Sequence, residues 1–254
     1  MLKVERLEVI TSELKKNGVV SIDKLSEKLK TSRSTIRRDI NELENQNSLQ
    51  RVRGGAVFSK PSTSYELPFS IRQDLFLEEK QRIAKAAHDM IQPNETLILG
   101  GGTTVFELSK LMNDIDPLYI ATNDLMTAME LSAYKNVSLM VLGGALRRNH
   151  FSLNGYFTET MITQIHADKV FFSVDAVDFK VGLMNFSTEE IQTNKKMLNA
   201  AHDIILLCDH SKFEKIAFVN TCGFDQIDLL ITGKEIDPSI ADQLNELGVK
   251  YITV

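Results

Sequence analysis

The chain has 254 residues, and its 29 Lys and Arg against 34 Asp and Glu leave a formal net charge of −5. At ~150 residues per domain this length suits one large domain or two smaller ones, and a hydrophobic content of 43% is ordinary for a soluble globular protein. The apolar runs are far shorter than the ~18 residues of a membrane helix, and the start of the chain has no signal-peptide core. Two cysteines are too few for a disulfide framework. We therefore predict a cytoplasmic protein without a membrane partner.

Charge is unevenly distributed along the chain. Residues 1–60 hold 13 Lys and Arg against 8 Asp and Glu, a net of +5, whereas residues 61–254 carry a net of −10. A negative total would argue against nucleic acid, but this asymmetry indicates a basic module on an acidic body. A chance variation in a solvated surface is the alternative, and charge alone favours neither.

Apolar periodicity predicts three helices in the first 46 residues. The first ends near Asn17, the second begins after Ser21 as its N-cap, and the third follows the turn at Thr31 and Ser32 and runs to about Gln46. Their buried positions are Leu7, Ile10 and Leu14, then Ile22, Leu25 and Leu29, then Ile36, Ile40 and Leu43. Two short helices, a tight turn and a further helix form a helix-turn-helix.

The exposed side of the third helix predicts DNA contact. With its apolar face buried, the first turns must project basic and hydroxyl side chains, which are the positions of a recognition helix that meet the major groove. Arginine suits them because its planar fork binds guanine or phosphate, and small hydroxyl residues let the backbone approach phosphates. The predicted contacts are Ser32, Arg33, Ser34, Thr35, Arg37 and Arg38. A solvated basic face is the alternative, and we favour DNA.

A β-hairpin wing is predicted after the third helix. The segment from Leu49 alternates in hydrophobicity and turns at Gly54 and Gly55, which places Arg51 and Arg53 on one side of a strand. Both arginines are candidates for phosphate or minor-groove contact, and a hairpin that merely covers the helices is the alternative.

These motifs carry a family resemblance. Thr35-Ile-Arg-Arg-Asp39, Leu43-Glu44 and Arg51-Val-Arg-Gly-Gly-Ala56 resemble the amino-terminal signature of the DeoR family of bacterial transcription regulators. The resemblance implies that they form a recognition helix and wing on double-stranded operator DNA. Arg53 stands where the family usually has His, which keeps or increases the positive charge.

Composition predicts a domain boundary after the wing. Residues 59–68 contain two prolines and four hydroxyl residues without a helical or alternating period. We therefore predict a winged helix-turn-helix domain over 1–58, a linker over 59–75 and a second domain over 76–254.

The acidic body alternates between strand-like and helical segments, which predicts an α/β domain with a mainly parallel sheet. Predicted strands are 96–99, 118–121, 138–142, 169–174, 203–208, 229–232 and 251–254. Predicted helices include 79–90, 105–111, 125–134 and 189–201. Ligands of such sheets bind outside the carboxyl ends of the strands.

The strand ends therefore supply the candidate ligand site. Glycines after the first strand let backbone N–H groups approach an anion at a helix amino terminus, and nearby hydroxyl, amide and ammonium groups suit a phosphorylated polyol or sugar. The predicted effector-binding residues are Gly100, Gly101, Gly102, Thr103, Thr104, Thr122, Asn123, Gly143, Gly144, Asp209 and Lys212. Taken singly, each group is also explained as a tight turn, a helix cap or a solvated cation.

The body is also similar to the effector domain of the DeoR family, in the order and spacing of many positions. They are Arg72, Glu79, Lys80, Gly102, Thr103, Thr104, Thr122, Asn123, Gly143, Gly144, Gly155, Asp178, Gly182, Leu183, Asp209, Ser211 and Lys212. The resemblance implies the fold of ribose-5-phosphate isomerase and glucosamine-6-phosphate deaminase, a phosphorylated sugar as effector, and a phosphate on residues 101–104 near Lys212.

This sequence departs from the family pattern at four positions. Gly100 stands where many members have an Asp that would contact sugar hydroxyls, Ser173 and Ala176 replace glycines, and Gly233 replaces an Asp. The Leu-Gly-x-Gly-Thr-Thr form of the loop is similar to that of lactose phosphotransferase-system repressors.

We predict a repressor of a carbohydrate catabolic operon that is controlled by a phosphorylated sugar and acts as a homo-oligomer, either a dimer or a tetramer. An activator or a regulator of a non-sugar pathway on the same scaffold is the alternative, followed by a phosphosugar isomerase with a DNA-binding appendage. No cofactor or metal is predicted, since Cys208 and His210 have no second ligand pair and Cys222 stands alone.

Overall fold

The computed structural model describes residues 2–17, 19–45, 49–52, 54–58, 63 and 66–254. The chain divides into two compact units, Met1–Ser62 and Thr63–Val254. The dividing point falls inside the predicted linker 59–75. The later part of that segment contains a helix of the second unit, Phe69–Arg72, because Phe69 packs into its interior.

The first unit is a winged helix-turn-helix, as the sequence predicts. Its elements are α1 (Lys3–Asn17), β1 (Val19–Ser21), α2 (Ile22–Lys28), α3 (Arg33–Asn45), β2 (Leu49–Val52) and β3 (Gly55–Phe58). Strands β2 and β3 form the predicted hairpin, and the antiparallel sheet has the order β1-β3-β2. Strand β1 was not predicted, because three residues are too few to show a period.

The core of the first unit lies between its helices and the wing. Ile36, Ile40 and Leu43 of α3 are all at most 5% exposed, and they pack with Ile10 and Leu14 of α1. The predicted apolar faces of α1 and α3 are thus confirmed. Their burial turns the other side of α3 outward, which leaves its polar side chains available.

The second unit alternates strands and helices around one large sheet. Its elements are α4 (Phe69–Arg72), α5 (Leu77–His88), β4 (Thr96–Leu99), α6 (Thr103–Ser109), β5 (Leu118–Thr122), α7 (Leu125–Leu131), β6 (Val137–Val141), β7 (Ala145–Leu146), β8 (Leu153–Asn154), α8 (Tyr156–Ile162), β9 (Ala167–Phe172), β10 (Ala176–Asp178), β11 (Gly182–Asn185), α9 (Ile191–Asn199), β12 (Ala201–Cys208), β13 (Val219–Cys222), β14 (Leu229–Thr232), α10 (Pro238–Glu246) and β15 (Tyr251–Thr253). A 3₁₀ turn, His210–Lys212, follows β12.

The large sheet has seven strands in the order β15-β14-β12-β9-β4-β5-β6, and all of its neighbouring pairs are parallel. The predicted parallel α/β sheet is therefore confirmed. The chain proceeds from β4 toward β6 on one side and then from β9 toward β15 on the other. This reversal between β4 and β9 creates a crevice at their carboxyl ends, where ligands of open α/β sheets bind.

Both faces of this sheet are buried. On one face Leu97 and Leu99 of β4 pack with Ile83 of α5, and on the other Ile98 packs with Met197 of α9. Burial on both faces explains why these strands have continuous apolar runs in the sequence. Among the helices of the described ranges, none is long and apolar enough to cross a membrane.

Candidate functional sites

The amino terminus of α3 is organised by hydroxyl groups. The Ser32 hydroxyl accepts a hydrogen bond from the backbone N–H of Thr35 at 3.3 Å, which confirms Ser32 as the cap of this helix. Its Oγ also lies 2.9 Å from the hydroxyls of both Ser34 and Thr35. The three predicted hydroxyl residues thus form one cluster on the first turn, and Ser32 and Ser34 are exposed.

Three predicted arginines project from the outer side of α3. Arg33, Arg37 and Arg38 are all exposed. Arg33 Nε lies 2.8 Å from the Asp23 carboxylate of α2, so this arginine also links the two helices of the motif. Across the described residues, no carboxylate pairs with Arg37 or Arg38. These two cations are therefore the most available for an anionic partner.

The wing holds its first arginine against α3. Arg51 Nη1 donates to Asn41 Oδ1 at 2.7 Å, and the Arg51 backbone N–H donates to Glu44 Oε1 at 2.9 Å. Arg51 is still half exposed, so its side chain joins the wing to the outer side of the helix. The predicted contact of Arg53 lies outside the described residues.

A buried ion pair orients α3 from behind. The Asp39 carboxylate accepts from Arg6 Nε at 2.7 Å and from Arg6 Nη2 at 3.0 Å, and the Asp39 side chain is only 3% exposed. Asp39 is the last residue of the Thr35-Ile-Arg-Arg-Asp39 motif. The motif therefore combines outward cations with an inward carboxylate that fixes the helix to α1.

In the second unit, a small cavity of about 40 Å³ lies at the crevice between the ends of β4 and β9. Polar residues from six separate segments line it, as expected for the site of a polar ligand. The lining residues are Glu66, Arg72, Gly101, Gly102, Thr103, Thr104, His150, Ser152, Ser173, Val174, Asp175, Asn185, Glu190 and Lys212. The structure thus brings residues 101–104 together with Lys212.

The loop after β4 has a conformation that requires glycine. Gly102 has φ of +140°, a region that L side chains rarely adopt, and a Cβ there would lie 3.0 Å from Ser173 Cβ. This turn directs residues 101–104 along the cavity wall at the start of α6. A loop of this kind presents backbone N–H groups to an anion.

The turn that carries Lys212 is held by two carboxylates. Asp209 Oδ1 accepts from the backbone N–H of Ser211 at 3.0 Å, and Glu79 accepts from the His210 backbone N–H at 2.7 Å and lies 2.6 Å from His210 Nδ1. Burial opposes ionisation of Asp209, but Lys212 and Lys80 together hold its pKa below the usual value. Asp209 therefore supports the position of Lys212 from outside the cavity lining.

A second lysine lies behind the cavity. Lys80 of α5 is only 2% exposed, and its ammonium donates to the backbone carbonyl of Arg72. Burial, helped by the neighbouring cations Lys212 and Arg72, lowers the pKa of Lys80 to about 8, although Asp209 opposes the shift. Adjacent residues Glu79 and Lys80 therefore fix the Lys212 turn and the Arg72 helix, respectively.

The opposite wall of the cavity is a network of ion pairs centred on Glu66. The Glu66 carboxylate lies 2.7 Å from Arg72 Nη2, 2.7 Å from Arg147 Nη2 and 3.1 Å from His150 Nδ1. Burial alone would raise the pKa of Glu66, but Arg72, His150 and Arg147 lower it to about 2. Glu66 is therefore a permanent anion in the cavity wall.

Two further carboxylates complete this network. Glu190 lies 3.0 Å from Arg147 Nη1 and accepts from the Ser152 hydroxyl at 2.6 Å, while Asp175 accepts from Asn185 Nδ2 at 3.1 Å. Burial and the negative charge of Glu66 raise the pKa values of both Asp175 and Glu190. One wall thus holds acceptors for hydroxyl groups, whereas residues 101–104 and Lys212 offer donors.

Several predicted effector residues support the cavity from outside its lining. Thr122 donates to the Leu99 carbonyl at 2.7 Å, and Asn123 Nδ2 donates to the Leu153 carbonyl at 3.0 Å. Both side chains are buried and join the end of β5 to neighbouring segments. Thr122 and Asn123 thus lie at the same edge of the sheet as the cavity, but their side chains do not line it.

Gly144 likewise has a packing explanation. The Gly143 carbonyl accepts from the Thr158 hydroxyl at 2.9 Å, and a Cβ at Gly144 would lie 2.0 Å from that hydroxyl oxygen. Gly144 therefore lets the chain after β6 pass closely over α8, whereas a Cβ at Gly143 would meet no atom within 4 Å. Neither glycine lines the cavity.

The family departures at Gly100 and Gly233 are explained by their surroundings. A Cβ at Gly100 would contact Phe172 Cβ at 3.5 Å and Met197 Cε at 3.6 Å, so a side chain there begins toward apolar packing and not toward the cavity. The expectation that position 100 faces sugar hydroxyls is not supported by this direction. At Gly233 a Cβ would lie 2.2 Å from Glu79 Oε1, the oxygen that supports His210.

The sequence reasoning missed most of the anionic wall. Glu66 lies in the predicted linker, His150 and Ser152 lie in a loop without a motif, and Asp175 and Glu190 follow strand and loop segments without an anion-binding pattern. Arg72 carried a signal, as one of the positions of the family resemblance. Long-range pairing, such as Glu66 with Arg147, has no local signature.

Comparisons with known proteins cover both units. A family model described as DeoR-like helix-turn-helix domain matches residues 6–62, and one described as DeoR C terminal sensor domain matches residues 76–234. The second alone spans more than half of the chain.

Full-length relatives are also found. The HTH-type transcriptional regulator GolR of Listeria innocua is 31% identical, covering 98% of this chain and 98% of its own. The HTH-type transcriptional repressor GlcR of Bacillus subtilis is 31% identical, covering 99% of this chain and 96% of its own. The lactose phosphotransferase system repressor of Streptococcus mutans is 34% identical, covering 100% of this chain and 99% of its own.

Solved structures match parts of the chain at low identity. A D-ribose-5-phosphate isomerase in complex with phospho-erythronic acid is 18% identical, with a TM-score of 0.41 over 54% of this chain and 54% of its own. The translation initiation factor eIF-2B of Pyrococcus horikoshii is 10% identical, with a TM-score of 0.45 over 90% and 85%.

Proposed function

This chain belongs to the DeoR family of transcription regulators, and from that membership we propose that it represses a carbohydrate catabolic operon under the control of a phosphorylated sugar. Relatives named as repressors include those of the glycerol-3-phosphate regulon and of the lactose phosphotransferase system. The observation that carries the effector part is the shared cavity of residues 101–104 and Lys212.

Operator contact is assigned to the outer side of α3 and the wing. Arg37 and Arg38 meet base edges or phosphates in the major groove, Arg33, Ser32, Ser34 and Thr35 contact the backbone at the helix start, and Arg51 and Arg53 lie on the flanking backbone. The exposure of the described cations and their placement beside one another support this assignment. The acidic body, with a net of −10, repels the duplex and confines contact to the basic unit.

The effector is held by two complementary walls. Its phosphate lies on residues 101–104 with Lys212 as counter-cation, and its hydroxyl groups face the acceptors of the opposite wall. Gly100, Thr122, Asn123, Gly143, Gly144 and Asp209 act on this site through the backbone that they position. A bound effector changes operator affinity only by its different affinity for the DNA-competent state.

The oligomeric state and the cellular location are inferred from operator DNA as the target. A single recognition helix reads one half-site, so the protein acts as a homo-oligomer on paired half-sites about one helical turn, or a multiple, apart. Such a regulator works in the cytoplasm, where operator DNA is found.

An activator on the same scaffold is the second candidate, since operator position and not the protein chain separates activation from repression. The names of the family models and relatives are those of regulators and not of enzymes. The isomerase alternative therefore has no support from them.

The test is a thermal-shift screen of phosphorylated sugars with the full-length protein, followed by Lys212→Ala. A ligand at 100 times its Kd stabilises the native state by about 2.7 kcal/mol, which a melt detects. We expect Lys212→Ala to lose the shift of every sugar phosphate that binds while operator affinity stays within about twofold, since the variant leaves the first unit intact.

Lys250→Ala is the matched control, because Lys250 is exposed and lies outside the cavity lining. It should keep both the thermal shift and operator binding. An unchanged shift in Lys212→Ala would remove Lys212 from the effector site, and the absence of any sugar-phosphate shift in the wild type would contradict the proposed function.

A further inference from the structure

Glu66 occupies a particular place along the chain. The first compact unit ends at Ser62, and Glu66 lies four positions later, at the start of the segment that leads through Pro68 into α4. Its side chain is nevertheless only 5% exposed. The segment that joins the two units is therefore anchored in the second unit by a buried carboxylate.

The partners of Glu66 are two arginines and a histidine. Arg72 comes from the same segment, whereas Arg147 and His150 come from the loop between β7 and β8. Arg72 Nη2 also lies 3.3 Å from His150 Nδ1, so the three side chains converge on one anion position. The arginine guanidinium recognises phosphate as well as carboxylate oxygens.

Glu66 shares the cavity with the proposed phosphate position. Both Glu66 and Arg72 line it together with residues 101–104 and Lys212. A phosphate that enters this cavity brings two negative charges close to a fixed carboxylate and offers the same cations a stronger partner. Repulsion and competition act in the same direction, since each weakens the hold on Glu66.

We propose that Glu66 couples ligand binding to the connecting segment: an anion bound in the cavity competes for Arg72 and His150, which line the cavity, and so releases Glu66 together with residues 66–72. The inference rests on the proposed function, because it requires an anionic ligand at this site. Release adds residues 66–72 to the connection between the DNA-binding unit and the body, which changes how closely paired recognition helices are tethered.

The other two carboxylates of the wall are less suited to this role. Asp175 accepts from Asn185 Nδ2 and from the Phe186 backbone N–H, both at 3.1 Å, and Glu190 accepts from the Ser152 hydroxyl. Asp175 also lies 3.5 Å from Arg72 Nη1 and Glu190 lies 3.0 Å from Arg147 Nη1, but the neutral donors of both carboxylates are fixed by the body of the unit and do not leave for a phosphate. Glu66 has only arginine and histidine partners among the described residues, and it lies on the connecting segment.

The experiment compares the full-length wild type with Glu66→Gln and Glu190→Gln, using inorganic phosphate as the probe and chloride at equal ionic strength as the reference. Calorimetric titration measures phosphate affinity, and hydrogen exchange with mass spectrometry measures opening of residues 66–76. Glu190→Gln is the matched control, because it removes a carboxylate of the same wall that also pairs with Arg147 but does not belong to the connecting segment.

In the wild type we expect phosphate to raise the exchange rate of residues 66–76 by about tenfold, the factor that corresponds to one pKa unit of electrostatic competition. Glu66→Gln should bind phosphate more tightly by a similar factor, exchange this segment rapidly without phosphate and show no further rise. Glu190→Gln should also bind phosphate more tightly but keep the phosphate-dependent rise.

The possible failures are distinguishable. If the wild type binds phosphate but exchange of residues 66–76 stays constant or slows, the inference is wrong while the proposed function stands, and this readout needs no variant. The same conclusion holds if Glu66→Gln behaves like Glu190→Gln. If the wild type binds no phosphate, both the proposed function and the inference are contradicted.

Discussion

The two units of this chain use charge in opposite ways. In the first unit Arg33, Arg37 and Arg38 stand exposed on one helix, with Asp39 as a buried carboxylate behind them. In the second unit many charges are buried around a cavity, including Glu66, Asp175 and Lys80. A surface that meets a large polyanion needs accessible cations, whereas a small polar ligand is recognised by groups held in place before it arrives.

The units also differ in how much core supports them. The first unit has about 60 residues and one small cluster, whereas the sheet of the second unit is packed on both faces. Small domains bury a smaller fraction of their surface and have little stability to lose. The same substitution should therefore have different consequences in the two units.

The largest expected effect comes from deleting a core side chain of the recognition helix. Ile36 is fully buried, so Ile36→Ala should lower the free energy of unfolding of the first unit by about 2–5 kcal/mol and unfold most of it. Ile98→Ala removes an equally buried side chain from the second unit, which should stay folded. Urea titration of the full-length protein, followed by far-UV circular dichroism, separates the two transitions. If both variants resisted urea equally, the two units would not differ in stability as we expect.

A smaller effect should follow from removing the neighbouring exposed cations. Arg37→Ala together with Arg38→Ala should weaken operator binding by about 100-fold and reduce its salt dependence, without lowering the melting temperature, because both side chains lie outside the core. For the wild type, about six phosphate contacts predict a log–log salt slope of roughly −5. Fluorescence anisotropy with operator fragments selected from genomic DNA measures both quantities.

Arg148→Ala is the control for this pair, since Arg148 is an exposed cation of the second unit. It should leave operator affinity and salt slope unchanged. A flat salt response of the intact protein, or an equal loss in Arg148→Ala, would show that DNA contact is not confined to the first unit.

The same contrast explains how far the sequence could be interpreted. In the first unit Ile36, Arg37 and Arg38 are neighbours in the chain, so a helical period is enough to separate core from surface. The seven strands of the large sheet were also predictable, since burial on both faces gives each an apolar run. Residues 101–104 were found through glycine chemistry, which is likewise local.

The anionic wall could not be predicted in this way. Glu66 and Arg147 are 81 positions apart, and their pairing depends on the return of two loops to one crevice. The small sheets of β7 and β8 and of β10, β11 and β13 were missed because such short strands show no clear alternation. Thr122 lies at the edge of the sheet that holds the cavity, but its side chain is buried and donates to the Leu99 carbonyl. The end of a strand does not determine where its last side chains point.

The smallest expected effect tests the buried charges of the second unit. Asp124 is 1% exposed, and its Oδ1 caps α7 by accepting from the Thr127 backbone N–H at 2.8 Å, while its Oδ2 has no hydrogen-bond partner among the described residues. Burial raises the pKa of Asp124 to about 6, although the bonds to Thr127 oppose the shift. The folded protein thus keeps this proton to a higher pH than the unfolded chain does.

Between about pH 4 and pH 6 the unfolded state therefore releases its proton first, and stability falls as the pH rises. Asp124→Asn keeps the cap but removes the ionisation, so it should raise the free energy of unfolding at pH 7 by about 1–3 kcal/mol and change little at pH 4. Scanning calorimetry of the full-length protein at both pH values measures the difference. Asp237→Asn is the control, because Asp237 caps α10 through Ser239 from an exposed position, where hydrogen bonds to Ser239 lower its pKa. Asp237→Asn should not raise the free energy of unfolding at pH 7. A rise as large as that of Asp124→Asn would mean that burial is not what destabilises the Asp124 carboxylate.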